Sequence, residues 1–191
     1  LQVGAAAALA SQGGALAETL ISYALHTDNY RNIRPTLCVL YGQLARHSQG
    51  LAALYKIAQS SNEPLVEQSA IIGMGKMRLL SAFHMLRELE QANTAPHIRH
   101  AVLHAYGHLA NLAAQKAKPM ADDNALHAQV LDELLNYLNQ AQNHKVQQAT
   151  LASLSIVLKA SDLKDAQART IHPQHAKATQ RLFSRTQRRA Q

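Results

Sequence analysis

The sequence is poor in the residues that staple, line or anchor many small folds. It has one cysteine, Cys38, so the chain can form no disulfide of its own. The same count excludes a cysteine-rich zinc site and a Cys-x-x-Cys-His haem attachment. Cys38 lies inside the apolar run Thr36-Leu37-Cys38-Val39-Leu40, which predicts a small buried residue and not a reactive thiol. Tryptophan is absent and aromatics make up 4% of the chain. Runs of β-branched residues are missing too, so no segment reads as a strand. No stretch of 18 uncharged apolar residues occurs, so no membrane span is expected. The start, Leu1-Gln2-Val3-Gly4, lacks the basic residues of a signal peptide and an initiator methionine. It reads as a fragment that opens partway through a structural unit, with a cytoplasmic location expected.

What is abundant is alanine and leucine, the strongest helix formers. At 47% hydrophobic over 191 residues, the chain is long enough to bury a core, and an all-α fold is expected. Charge is uneven. Of the net charge of +7, +5 falls after Lys159, where Lys164, Arg169, Lys177, Arg181, Arg185, Arg188 and Arg189 outnumber Asp162 and Asp165. The reading is therefore a nearly neutral body, 1–159, and a basic tail or capping helix, 160–191.

The body repeats. The segments Ile33–Leu44, Val66–Met77, Ile98–Leu109 and Val146–Val157 align, with offsets of 33, 32 and 48 residues, and a weaker copy opens at Val3. The rule toward the end of each is small, large, Gly or Ser, variable, apolar, as in Gly73-Met74-Gly75-Lys76-Met77 and Ala105-Tyr106-Gly107-His108-Leu109. Glycine inside a helix costs about 1 kcal/mol against alanine. Three copies accept that cost at one position (Gly42, Gly75, Gly107), which predicts close helix–helix approach. For this reason Gly73-Met74-Gly75-Lys76 reads as packing and not as a phosphate loop. A second amphipathic helix flanks each copy, roughly 15–26, 50–59, 80–91 and 124–140. Their predicted core faces are Leu16, Leu20 and Tyr23; Leu51, Leu54 and Ile57; Phe83, Leu86 and Leu89; and Leu126, Val130, Leu134 and Leu138. The turns expected between units are His47-Ser48-Gln49-Gly50, Ser60–Pro64 and Asn93–Pro96.

The third copy, with Ile98-Arg99, Ala101, Ala105-Tyr106-Gly107 and Leu109, resembles the short bacterial HEAT-type repeat, Val-Arg-x-x-Ala-x-x-Ala-Leu-Gly-x-Leu. The resemblance covers roughly residues 3–158. Glu67, Gln147 and Ser155 depart from it. It implies a right-handed α-α superhelix, a HEAT-like solenoid of about four to five helical hairpins, with another helical-hairpin array as the alternative. The ankyrin turn motif and the tetratricopeptide Trp pattern are both absent.

The resemblance also implies a function, since second helices of such arrays line a concave face that holds extended partners. A non-enzymatic protein–protein scaffold is the leading expectation, with Lys56, His84, Arg87, Asp132 and Glu133 as polar candidates on second helices. The 15-residue excess around Ala113–Asp123 predicts a long loop as a further contact surface. The second expectation is a nucleic-acid-associated array that binds through Arg181, Arg185, Arg188 and Arg189 of the tail. An enzyme ranks last. Of three HEAT-fold enzyme types, the lysine-hydroxylating metalloenzyme needs His-Glu pairs, and none of the 11 histidines precedes a glutamate. The DNA glycosylases need aromatics that are scarce here, and nothing points to the tetrapyrrole of the bilin lyases. His100, His104 and His108 form a four-residue stripe, with His97 just before it. The positions aligned with His100 and His108 in other copies are polar or variable, whereas His104 matches Val39, Ile72 and Ala152. A largely solvated stripe with His104 partly buried is therefore expected, pH-sensitive or merely structural, with no metal, no cofactor and no catalytic residue.

Overall fold

The computed structural model describes residues 2–77, 79–114, 121–140, 144–158 and 184. Among them the chain forms helices and no strand. In chain order these are α1 (Val3–Gln12), α2 (Gly14–His26), a 3₁₀ segment (Asp28–Ile33), α3 (Arg34–Leu44), α4 (Ser48–Ser60), α5 (Pro64–Lys76), α6 (Leu80–Ala92), α7 (Pro96–Ala114), α8 (Ala121–Gln140) and α9 (His144–Val157). Pro64 and Pro96 open α5 and α7, and Pro35 lies in the first turn of α3. A first-turn proline removes an N–H that has no helical partner in any case. Between α1 and α2 the chain reverses through Gly13 and Gly14, both at positive φ (70° and 85°), which only glycine adopts cheaply.

Contacts divide the chain into two units, 1–105 and 106–191, with the division inside α7. The boundary expected after Lys159 falls outside the described residues.

In the first unit α3 packs extensively on α5. α5 is buried along most of its length: Val66, Ser69, Ala70, Ile71, Gly73, Met74 and Gly75 are all inside. A helix enclosed on several sides needs small residues where neighbours cross. A Cβ on Gly42 would stand 2.6 Å from the Gly73 Cα. One on Gly73 would stand 2.5 Å from the Cys38 carbonyl oxygen, one turn back on α3. One on Gly75 would stand 2.6 Å from the Ala105 Cα. The expected close approach is therefore present, and its partner lies two residues before the aligned glycine of the next copy. The second helices are amphipathic and pack one face inward: Leu51, Leu54 and Ala58 of α4, and Ala82, Phe83, Leu86 and Leu89 of α6.

In the second unit α8 packs on α9, burying Val130, Leu134, Leu138, Leu154 and Val157. The same register recurs there: a Cβ on Gly107 would meet Ser153 at 3.2 Å.

Three expectations change. On α2 the buried residues are Ala17, Ile21, Ala24 and Leu25, whereas Leu16, Leu20 and Tyr23 are 73%, 40% and 68% exposed. Helix α2 carried two apolar stripes, and the one with smaller residues faces inward. The turn expected at His47–Gly50 is the start of α4, with His47 as its N-cap. The excess around Ala113–Asp123 goes largely into longer helices, since α7 has 19 residues and α8 has 20, against 13 in α5 and α6. Its alanine-rich ends favour helix. Residues 115–120, with Lys116, Lys118 and Pro119, lie outside the described part.

Candidate functional site

The second helices leave an outward surface. Lys56 on α4 and His84 and Arg87 on α6 are exposed, as is Asp132 on α8, while Glu133 is half-buried. Tyr55 Oη donates to Glu88 Oε2 at 3.2 Å, tying α4 to α6. Partial burial pushes the Tyr55 hydroxyl up, and the Glu88 hydrogen bond adds to that. Lys56 and Arg87 are each adjacent in sequence to one of the partners in that bond. Asp132 and Glu133 belong to the second unit, and Arg181, Arg185, Arg188 and Arg189 lie outside the described residues.

Leu16, Leu20 and Tyr23 add an apolar stripe at helical spacing on α2. Beside it runs an open groove bordered by Glu18, Tyr23, Tyr41 and His47. The neutral imidazole of His47 has a defined tautomer there. Its Nδ1 accepts from the Gly50 N–H at 3.1 Å, capping α4, which leaves Nε2–H to donate to Glu18 Oε1 at 2.5 Å.

A second cleft lies where the C-terminal ends of α2 and α4 meet the starts of α3 and α5, with His26, Arg34, Ser60 and Ser61 as its polar lining. The Arg34 side chain is only 25% exposed, and its Nη2 reaches Asp28 Oδ1 at 3.4 Å. Arg31 pairs with Glu63 at 2.5 Å on the same end of the hairpins. That carboxylate holds the Arg31 guanidinium above its ordinary value, by hydrogen bond first and by charge second. Both pairs are solvent-accessible and worth little to stability.

Cys38 is fully buried on α3, and burial pushes its thiol up to about 12, with nearby Arg34 pulling weakly the other way. On α7, His97 Nε2 contacts Glu67 Oε2 at 2.8 Å, and the His100 and His104 rings meet edge to face. Among the described residues no group of three or more His, Cys, Asp or Glu is placed to hold a metal ion. No described helix is long and apolar enough to cross a membrane. Compared with known protein families, curated proteins and solved structures, the chain matches none.

Sequence reasoning missed the exposed α2 stripe, although Ala17, Ile21, Ala24 and Leu25 also keep helical spacing. The pairs Glu18–His47 and Glu67–His97 had no local signal, because each joins residues about 30 apart.

Proposed function

We propose that the chain is a non-enzymatic protein-binding scaffold, built as a HEAT-like right-handed solenoid and holding its partner on the surface of its second helices. The observation that carries this reading is the stripe of Leu16, Leu20 and Tyr23 on α2. Three large apolar side chains aligned in solvent are the kind of surface that association buries. Tyr23 of the stripe also lines a groove with polar walls, which matches the apolar centre and polar rim of a protein interface. Lys56, His84 and Arg87 are the polar part of the same proposal, on the two following second helices. The repeated packing register supports the solenoid part, since each first helix presents a small residue to the next.

The test is affinity capture from the source cell, with and without nuclease, followed by binding of the purified partner to the chain and to a Leu16→Glu/Leu20→Glu variant. Both positions are exposed, so the variant keeps the fold. A nuclease-resistant partner that loses affinity for the variant supports the scaffold. Capture that disappears with nuclease, or with residues 160–191 removed, replaces this reading with nucleic-acid binding through Arg181, Arg185, Arg188 and Arg189.

A further inference from the structure

Two histidines of the first unit are each held by a carboxylate: His47 by Glu18 and His97 by Glu67. His100 and His104 are arranged differently, because their rings meet each other. They stand one turn apart on α7, with ring centroids 4.8 Å apart and planes at 68°. His100 is exposed and His104 half-buried, so one edge of the pair is open to solvent. Two imidazolium charges at this separation repel. Burial, and then the neighbouring His100, keep His104 below the ordinary histidine range. His104 is thereby biased toward the neutral imidazole, the form that ligates metals.

The spacing fits a shared ion. With metal–nitrogen bonds of about 2.0–2.1 Å, two imidazoles on neighbouring positions of a four- or six-coordinate ion have centroids roughly 4.5–5.2 Å apart. The observed 4.8 Å lies inside that range. Imidazole nitrogen suits borderline transition ions, with copper(II) ahead of zinc(II) for a given donor set.

We propose that His100 and His104 form a two-imidazole site for a divalent transition-metal ion, copper(II) before zinc(II), whose remaining positions are open to water or to a donor from a bound partner. With two protein ligands, either histidine is decisive. The four-residue spacing puts the two rings on one face of α7. Their 4.8 Å separation is compatible with a shared ion as well as with an edge-to-face ring contact, which is what the metal titration distinguishes. The site is independent of the scaffold reading and stands or falls without it.

The test uses the full, untagged chain. Copper(II) and zinc(II) are titrated separately by calorimetry, and the copper complex is examined by electron paramagnetic resonance. Expected are one saturable copper site in the micromolar range, a spectrum with two nitrogen donors, and weaker zinc binding. His100→Gln and His104→Gln should each lower copper affinity about tenfold to a hundredfold, since even outer-shell changes have that effect. His144→Gln, an exposed histidine on α9, should leave it unchanged. His100 is exposed, so its variant decides the matter even if His104→Gln disturbs packing. No saturable copper binding tighter than about 100 μM, or affinity equal in the wild type and His100→Gln, overturns the site.

Discussion

Gly42 on α3 rests against Gly73 on α5 so closely that a Cβ at position 42 would lie 2.6 Å from the Gly73 Cα. Backbone meets backbone at that point, so no side chain can swing away to make room. Gly4, inside α1, has no atom within 4 Å of the corresponding position. Gly42→Ala should therefore destabilise by about 2 kcal/mol or more, because overpacking outweighs the gain in helix propensity. Gly4→Ala should be neutral or stabilising by up to about 1 kcal/mol. Urea unfolding of both variants checks the opposite signs.

His47 spans two helices with one ring. His47→Ala should cost about 1 kcal/mol for the lost cap of α4, together with the Glu18 contact. His47→Asn retains a capping side chain and should lose less. Denaturation midpoints of the two variants, with Glu18→Gln beside them, separate the cap from the cross-helix bond.

The thiol of Cys38 has no access to solvent, and burial holds its pKa at about 12. In the folded protein at pH 8 it should resist a thiolate-directed disulfide reagent for hours. It should react within minutes in denaturant. Rapid reaction of the native chain would show that α3 opens locally.

His104 titrates below 6.5 in the folded chain, because burial and His100 disfavour its charged form. The unfolded chain takes up that proton near pH 6.5, and the folded chain only at lower pH. Stability linked to His104 is therefore complete above pH 6.5 and is lost as pH falls through the folded value. Between pH 8 and pH 5 the wild type should lose more stability than His104→Gln, and the difference between their urea midpoints isolates this residue.

How much of this was legible depends on whether the packing leaves a local trace. Glycine within a helix is such a trace, because it is costly unless something presses on it. Gly42, Gly75 and Gly107 accordingly located the first helices and their tight crossings. The register of those crossings was not legible, since it requires knowing which turn of one helix meets which turn of the next. Helix α2 shows another limit. Large side chains suggested Leu16, Leu20 and Tyr23 as the core face, but Ala17, Ile21, Ala24 and Leu25 occupy it. Of the candidate surface, exposure of Lys56, His84, Arg87 and Asp132 followed from their polar character. The juxtaposition of Glu18 with His47 and of Tyr55 with Glu88 depends on how one hairpin settles on its neighbour, which composition does not encode.

Helix α5 carries Gly73 toward α3 and Gly75 toward α7, so one segment holds both halves of a tongue-and-groove joint. A second copy of the stretch from Ser48 to Met77, spliced in after Met77, would meet the groove it needs on one side and offer the same groove on the other. Duplication or excision of this segment would therefore keep the first-helix joint at either seam, and only the second helices, which also pack on one another, would meet new neighbours.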